Sequence, residues 1–378
     1  MKKLRLTLLA AVAALAGSAA LADVNIGVSL SLTGPGSGLG IPVGNQFKLF
    51  PKTIAGEKIN LIILDDASDP GKGVNNARRF ITEDKVDMII GSSITPVSAA
   101  MVPLAAEAKT VQLAVSPVGA PPDQERWLFR LPQGADVIAY PIVEHMKKTG
   151  IKTMGFLGYA DAYGEIWLKA MTPALEKAGI KLVNVERFAR NDTSVTPQAL
   201  KLTSANPDAI LVVASGSGAA MPHKGLIERG YKGKIYQTHA AATPDLVRIG
   251  GKDVEGGYVS SGPAVVAEQL PDSHPSKKAA VDFVTNYEKA YGAGSRNQFA
   301  AHAYDAAIVL EKVLPIALKK AKPGTPEFRA ALRDGLETMG RTVFSHGVMN
   351  WSAQNHWGYT NETAVLLQVK GGKFVVVQ

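Results

Sequence analysis

The chain has 378 residues, no cysteine, and a formal net charge of +8 from 41 Lys and Arg against 33 Asp and Glu. At roughly 150 residues per domain, this length predicts two domains. Disulfides are excluded as the stabilising device, so hydrophobic cores must hold the domains together. The basic residues are scattered rather than blocked, which argues against a protein that binds nucleic acid.

The first 22 residues have the pattern of a secretory signal peptide. Three basic residues within the first five precede the apolar run LTLLAAVAALAG, and the small residues of the ALA segment at 20–22 suit signal peptidase. The alternative is a transmembrane anchor, which needs about 20 apolar residues, more than this run provides. No cysteine follows the run, so we do not expect a lipid anchor. We expect cleavage after Ala22, a periplasmic location and a remaining net charge of +5.

The chain from residue 23 onward alternates short apolar runs with amphipathic stretches. Several runs are continuously apolar and β-branched, which is typical of strands buried on both faces of a parallel sheet. Helical patterns lie between them, and repeated β-α-β units predict an α/β fold with right-handed crossovers. The strand candidates are VNIGVSLS, INLIILDD, VDMIIGSS, TVQLAVSP, KTMGFLGY, KLVNVERF, AILVVAS and KIYQTHA.

The rhythm changes after about Pro271. Three long helical patterns follow, and then the aromatic segment MNWSAQNHWGY and a hairpin pattern, TAVLLQVKGGKFVVV, whose Gly-Gly pair suits a tight turn. No disordered linker separates the two α/β halves. We therefore expect the halves to touch and the late helices to pack onto one of them.

A glycine-rich segment, TGPGSGLG at 33–40, follows the first strand candidate. Glycine lets a backbone approach a phosphate, but the spacing does not match a dinucleotide-binding loop. Pro35 and Pro42 also interrupt the helix start that such a loop requires. We interpret the segment as a flexible loop facing a ligand cleft, with a plain turn as the alternative.

A second segment points to an anion site. The strand VDMIIG ends at Gly91, and SSITPVS follows, in which Thr95 is typical of an N-cap and Pro96 of a first helical residue. Free N–H groups at a helix start, with the Thr95 hydroxyl, can bind an anion. Ligands bind at the carboxyl ends of strands in open α/β sheets. Ordinary capping, with water outside, explains this motif equally well.

Three later segments also lie where strands end. Ser116 belongs to VSPVGA at 115–120, Tyr163 to DAYGE, and His239 to QTHA. An aromatic residue in such a loop can form the wall of a pocket or simply pack. The histidine can donate a hydrogen bond to a ligand or make a structural one.

Enzyme signatures are missing. Ser215 and Ser217 lack the glycine that a nucleophile elbow places two residues before its serine. The histidines show no close metal spacing, and cysteine ligands are absent. The acidic cluster of Asp65, Asp66 and Asp69 is explained by turn and cap chemistry rather than metal binding. We therefore expect no catalysis and no cofactor, with a secreted hydrolase as the rival class.

Together these segments resemble the branched-chain amino-acid (Leu/Ile/Val)-binding proteins of the type I periplasmic binding family. The resemblance runs from VNIGVSLSLTGPGSGLG through DDASDPGKGVNNARRFI, IIGSSITPVSAA, VSPVGA, LFRLP, DAYGE and IERGYKGKIYQTHA to HAYDAA. It implies two Rossmann-like lobes joined by three hinge crossovers, near residues 139, 264 and 359. Lobe 1 would hold 23–139 and 265–358, and lobe 2 would hold 140–264 and 359–378. It further implies a monomer that captures a small solute between the lobes for an ABC permease with its ATPase subunits.

The resemblance also implies a set of ligand contacts. The family's carboxylate-binding hydroxyl falls on Thr95, and the carbonyl that accepts a ligand ammonium falls on Val118. Where the family has a threonine hydroxyl and an acid for the ammonium, this chain has Ala120 and Ala240. The full expected set is Leu39, Thr95, Ser116, Val118, Ala120, Tyr163, Gly216, His239 and Ala240.

The two alanines bear on the ligand. A buried ammonium must be paired, because desolvating an isolated charge is costly. A pocket that keeps the hydroxyl but loses both ammonium partners suits a carboxylate without an amine. We therefore expect an aromatic or short aliphatic acid, with a branched-chain amino acid as the alternative.

Overall fold

The computed structural model describes residues 23–377, and the expected signal peptide lies outside them. The strands are β1 (Val24–Leu30), β2 (Thr53–Ile54), β3 (Glu57–Asp65), β4 (Met88–Gly91), β5 (Val111–Ala114), β6 (Leu128–Arg130), β7 (Thr153–Tyr159), β8 (Lys181–Phe188), β9 (Ala209–Val213), β10 (Lys234–Gln237), β11 (Tyr258–Ser261), β12 (Thr342–Phe344), β13 (Gly347–Met349), β14 (Val365–Lys370) and β15 (Lys373–Val376).

The α-helices are α1 (Ser37–Lys48), α2 (Pro70–Thr82), α3 (Thr95–Glu107), α4 (Pro122–Glu125), α5 (Ala135–Lys148), α6 (Ala162–Ala178), α7 (Thr196–Ala205), α8 (Ala220–Glu228), α9 (Pro244–Gly250), α10 (Lys277–Tyr291), α11 (Gln298–Leu318) and α12 (Pro326–Thr338). Short 3₁₀ segments span Gly216–Ala219, His239–Ala241, Gly251–Val254, Pro263–Gln269 and Asn361–Thr363. None of the helices in residues 23–377 combines the length and apolar character that a membrane span requires.

Two sheets form the centres of the two halves. The first has six strands in the order β2-β3-β1-β4-β5-β6, all parallel except for the β2–β3 pair. All four residues of β4 are buried. Strands covered on both faces must be apolar throughout, because they have no face toward water. This is why the apolar runs predicted the strands correctly.

The second sheet has seven strands in the order β15-β14-β11-β10-β9-β7-β8. Its strands are parallel from β8 to β11, whereas β14 and β15 add an antiparallel hairpin at one edge. Gly371 and Gly372 in the hairpin turn have φ values of 56° and 70°. A two-residue turn with both φ values positive needs glycine or a similarly permissive residue, so the predicted Gly-Gly hairpin is confirmed. The predicted two-sheet α/β fold class is confirmed as well.

The glycine-rich segment was interpreted wrongly as a flexible loop. Helix α1 begins at Ser37, inside that segment, and continues through Pro42. A Cβ atom added at Gly40 would lie 2.1 Å from the Ser31 carbonyl oxygen. Gly40 therefore allows the helix to pack closely against the end of β1. The glycine serves close approach rather than flexibility, and the composition alone does not distinguish the two.

The late helices contact the first half of the chain. From α10, the Tyr291 hydroxyl donates to the Asn45 carbonyl oxygen at 2.8 Å, and the Tyr287 hydroxyl donates to the Pro42 carbonyl oxygen at 3.4 Å. Farther along, the Gly324 N–H donates to Asp87 Oδ1 at 2.7 Å. We retain 23–139 with 265–358, and 140–264 with 359–378, as the proposed division into lobes.

A buried carboxylate, Asp66, joins the strand ends of the first sheet. Its oxygens accept hydrogen bonds from the hydroxyls of Ser29 at 3.1 Å, Ser31 at 2.7 Å and Ser92 at 2.6 Å. The neighbouring Asp69 caps α2 by accepting from the Lys72 N–H at 2.8 Å. The prediction of turn and cap chemistry for this acidic cluster is confirmed.

We predict that Asp66→Ala lowers the free energy of unfolding by at least about 3 kcal/mol, because three buried hydroxyls lose a charged acceptor. The matched control is Asp69→Ala, which removes an exposed cap and should cost about 1 kcal/mol. Urea denaturation measures both. Equal losses for the two variants would contradict the argument.

Candidate ligand-binding cleft

A narrow cavity lies between the two sheets. Its polar lining comes from loops that directly follow parallel strands. Ser93 and Ser116 follow β4 and β5 of the first sheet, whereas Arg190 and His239 follow β8 and β10 of the second. This is the edge of an open α/β sheet at which ligands bind.

Six of the nine residues expected to contact a ligand line this cavity. They are Leu39, Thr95, Ser116, Tyr163, His239 and Ala240. The structure brings them together from both halves of the chain, and their contact with a ligand stays a prediction. Val118, Ala120 and Gly216 are not among the lining residues.

The prediction of Thr95 as an N-cap is wrong. Helix α3 begins at Thr95 itself, Ile94 occupies the cap position, and no side chain caps the helix. The Thr95 hydroxyl instead donates to the Pro117 carbonyl oxygen at 2.7 Å. It therefore ties the loop after β4 to the loop after β5. The competing acceptor lies 22 residues away in sequence, and the local motif gave no sign of it.

The Val118 carbonyl already has a partner. It accepts from Arg130 Nε at 2.8 Å, and the fully buried Arg130 is paired with Glu125, whose Oε2 accepts from Nη2 at 2.7 Å. The Val118 carbonyl thus already accepts one hydrogen bond, and its contact with a ligand ammonium stays a prediction. Ala120 is half-buried outside the cavity.

Gly216 meets Leu39 across the cleft. A Cβ atom added at Gly216 would lie 2.8 Å from Leu39 Cδ1, and the φ of Gly216 is 53°. The residue thus contributes to the contact between the two halves rather than to the cavity wall.

Arg190, which supplies a guanidinium to the cavity, was not among the predicted contacts. Its Nε donates to Asp161 Oδ2 at 2.6 Å, and its Nη1 donates to Ser215 Oγ at 3.1 Å. The guanidinium carbon lies 4.1 Å from the centroid of the Tyr159 ring. Among the described residues, Nη2 makes no hydrogen bond. The only sequence signal was the position of Arg190 just after a strand.

Ser93 lies in the SSITPVS segment but was not among the predicted ligand contacts. It is fully buried, and its hydroxyl oxygen accepts from the Ser31 N–H at 3.1 Å. Within residues 23–377, the hydroxyl proton has no protein acceptor, so it can be donated into the cavity. The adjacent Ser116 hydroxyl shares a 2.7 Å hydrogen bond with the Ser98 hydroxyl.

His239 and Tyr163 form one wall. Tyr163 is buried, and its hydroxyl shares a 2.7 Å hydrogen bond with the Thr238 hydroxyl. His239 is also buried, and neither ring nitrogen has a hydrogen-bond partner among the described residues. Burial, and secondarily the charge of nearby His346, lowers the pKa of His239 to about 3. The imidazole is therefore neutral, with one donor and one acceptor.

No carboxylate of the described residues lines the cavity. Asp161 is linked to it through Arg190, and the other Asp161 oxygen accepts from the Tyr163 N–H at 2.8 Å and the Gly164 N–H at 3.3 Å. The wall is thus built from hydroxyls, one arginine, one neutral histidine and apolar side chains, including Phe299.

The family profile described as a periplasmic binding protein matches residues 23–373. The chain belongs to the periplasmic binding protein family. The members of this family are non-enzymatic receptors, so the predictions of a two-lobed fold and of binding without catalysis are confirmed by membership.

Individual relatives agree with this assignment. Leu/Ile/Val-binding protein homolog 3 of Brucella melitensis is 27% identical over 211 residues, which are 54% of this chain and 56% of that relative. The chain thus aligns with about half the length of this curated relative. An extracellular ligand-binding receptor from Rhodopseudomonas palustris is 47% identical, with a TM-score of 0.93, over 94% of this chain and 99% of that one.

A solute-binding protein of an ABC transporter from R. palustris, in complex with benzoate, is 20% identical with a TM-score of 0.81. The likeness covers 94% of this chain and 96% of that protein. At this identity it shows a shared fold.

We predict that His239 makes the stability of this binding protein depend on pH. The folded-state pKa is about 3 and lies below the ordinary value of 6.5. Protons therefore bind the unfolded state more readily, so stability is full above pH 6.5 and falls as the pH decreases. His239 alone should remove about 2 kcal/mol between pH 7 and pH 5.

Urea denaturation at several pH values checks this prediction. His239→Gln should flatten the dependence, whereas the control His274→Gln, which changes a half-buried histidine outside the cleft, should change it less. An unchanged slope in His239→Gln would show that this histidine is already solvated.

Proposed function

We propose that this protein is the extracytoplasmic solute-binding component of an ABC importer of the branched-chain amino-acid family. It captures a small carboxylate-bearing solute in the cleft between its lobes, in the periplasm. A membrane permease with its ATPase subunits then recognises the closed form.

The proposal of an anionic solute rests on the position of the Arg190 guanidinium. Two of its nitrogens are held by Asp161 and Ser215, which fixes the plane of the guanidinium. The side chain lines the cavity and is 13% exposed. A guanidinium fixed in this way offers a charge-assisted hydrogen bond to a carboxylate with little loss of side-chain entropy.

The first half of the chain supplies the matching donor. The Ser93 hydroxyl, whose proton has no acceptor among the described residues, lies across the cleft from Arg190. A carboxylate bound by both side chains would therefore connect the lobes. A ligand closes a hinged protein only if it interacts better with the closed state than with the open one. Contacts from both lobes provide that difference, and Thr95 supports the Ser93 side by fixing the loop at Pro117.

The same cavity argues against an amine on the ligand. Ala240 lines it where the resembled family has an acid, and Ala120 lies outside it. The Val118 carbonyl already accepts a hydrogen bond from Arg130. An ammonium would therefore be desolvated without a charged partner, which is costly. Leu39, Tyr163 and Phe299 suit the apolar body of an aromatic or short aliphatic acid.

A branched-chain amino acid is the alternative, favoured by the name of the Brucella relative. The benzoate complex shows that the same fold holds an aromatic acid in another protein. The fold therefore does not select between the two ligands, so the side chains that line the cavity must select the ligand.

We predict that isovalerate binds and valine does not, because the two differ only in the amine. Benzoate and 4-hydroxybenzoate should bind at least as well as isovalerate. A thermal-shift screen followed by titration calorimetry provides the measurement, with leucine included. Stabilisation by valine and leucine, but not by isovalerate, would show that the ammonium is recognised and would reject the acid.

We predict that Arg190→Gln weakens binding of the acid that stabilises the protein most by at least ten-fold. Losing a charge-assisted hydrogen bond costs about 1.5–3 kcal/mol, and 1.4 kcal/mol is a factor of ten. Ser93→Ala should weaken binding in the same direction. Thr95→Ala should weaken it about ten-fold, and Thr95→Ser should restore it.

Arg187→Gln is the matched control, because Arg187 lies on the preceding strand and pairs with Glu165 at the surface. Calorimetry on all five variants separates the roles. Affinity that changes equally in Arg190→Gln and Arg187→Gln would mean that Arg190 acts only through the net charge.

A further inference from the structure

Three buried side chains gather behind the cleft. His302 and Asp305 lie three residues apart on α11, and therefore on one face of the helix. His346 lies in the turn between β12 and β13. One ring nitrogen of each histidine and one Asp305 oxygen all lie within 4.8 Å of one another. All three residues are fully buried.

Each of these side chains has a polar atom that the protein leaves unused. Asp305 Oδ2, His302 Nδ1 and His346 Nδ1 have no hydrogen-bond partner among the described residues. Asp305 makes no ion pair within residues 23–377. A buried polar atom without a hydrogen-bond partner is costly. Three such atoms in one place therefore indicate a bound group that would satisfy them.

Two of the remaining polar atoms of the cluster are fixed by the backbone. The third, His302 Nε2, lies 3.4 Å from the Gln298 side-chain Nε2, so metal binding at His302 Nδ1 requires this imidazole to carry its proton on Nε2. Asp305 Oδ1 accepts from the Ser345 N–H at 2.7 Å. His346 Nε2 lies 2.9 Å from the Gln298 carbonyl oxygen. Since a carbonyl only accepts, Nε2 carries the proton and Nδ1 has a free lone pair. A histidine that binds a metal generally donates its other N–H to a carbonyl or carboxylate in this way.

The cluster also lies at the junction between the lobes. The Gln133 side chain donates to the His346 carbonyl oxygen at 3.0 Å and lies 3.5 Å from the Thr363 carbonyl oxygen. A Cβ atom added at Gly262 would lie 2.3 Å from His346 Nδ1. Residues 133, 262 and 363 lie within six residues of the three expected crossovers near 139, 264 and 359. A group bound here would therefore reinforce the place at which those crossovers meet.

We propose that His302, Asp305 and His346 bind one divalent transition-metal ion of the Zn²⁺ type. Two neutral imidazoles and one carboxylate form a common donor set for zinc, with water as a further ligand. The ion engages the Asp305 oxygen and the ring nitrogens that lack partners. This site is separate from the solute cavity, and the proposal does not depend on which solute binds there.

Co²⁺ and Zn²⁺ are the probes. The exported protein is purified, partly unfolded in urea with a chelator to open the site, and refolded with or without one equivalent of metal. We expect one Co²⁺ per chain with visible ligand-field absorption, displacement of Co²⁺ by Zn²⁺, and a thermal midpoint several degrees higher with metal. If Co²⁺ does not bind stoichiometrically after refolding, the proposal is overturned and an ordered water is the occupant.

The variants Asp305→Asn and His346→Gln should abolish the Co²⁺ absorption and the thermal gain. Asp305→Asn preserves the shape and the acceptor for the Ser345 N–H. Its metal-free midpoint should therefore match or exceed that of the unchanged protein, which separates loss of metal from loss of folding. If one of the two variants does not fold, the other carries the test.

The matched control combines His274→Gln with Asp272→Asn. Those two residues offer the same ligand types near the surface, at 272 and 274. We expect the control to keep full Co²⁺ binding. Binding that survives in Asp305→Asn or His346→Gln, or that is lost in the surface control, would place the metal elsewhere and overturn the proposal.

Discussion

The parallel arrangement of the strands is the constraint from which the cleft follows. When neighbouring strands run in the same direction, all their carboxyl ends reach one edge, and the loops that leave that edge are close in space whatever their separation in sequence. Two such edges face each other here. Ser93 and Ser116 on one side, and Arg190 and His239 on the other, come from four separate loops. The cleft is therefore a consequence of topology before any side chain is considered.

An arginine in a closed cavity needs partners from the protein that stabilise its guanidinium. An unpaired guanidinium would be destabilising there, because its hydration is lost on closure. Asp161 compensates the charge at 2.6 Å, and the face of the Tyr159 ring adds a further favourable contact. Asp161 is itself fixed by the N–H groups at the start of α6. The position of the guanidinium is thus maintained by a chain of contacts that ends at a helix N-terminus, where a carboxylate is favourable.

The fold could be predicted from the sequence because strands buried on both faces leave a continuous apolar pattern. The short strands β6 and β11 were not predicted, since LFR and YVSS are too short to show a period. The site was predicted in part. Positions after strands, such as Thr95 and His239, follow from topology, whereas the bonds that those side chains make depend on distant residues.

Those distant partners decide the chemistry at two positions. Thr95 is recruited by Pro117, and the Val118 carbonyl by Arg130, which arrives from β6. Neither pairing leaves a local signal, because both join segments that only the folded sheet brings together. A motif can therefore place a residue at a cleft and still assign the wrong partner to it. For Thr95 the error concerns its hydrogen bond rather than its location, whereas Val118 does not line the cavity at all.

Specificity in such a cleft depends on few positions. The backbone scaffold that shapes the cavity is common to proteins whose sequences are only 20% identical, so it does not select the solute. What differs is the pairing of charge. A buried ammonium needs an acid within contact distance, and a buried carboxylate needs a donor. This cavity contains a guanidinium and hydroxyls but no acid among the described residues. Because an unpaired buried charge is costly, the charges that line such a cavity bear on the choice of solute before shape does.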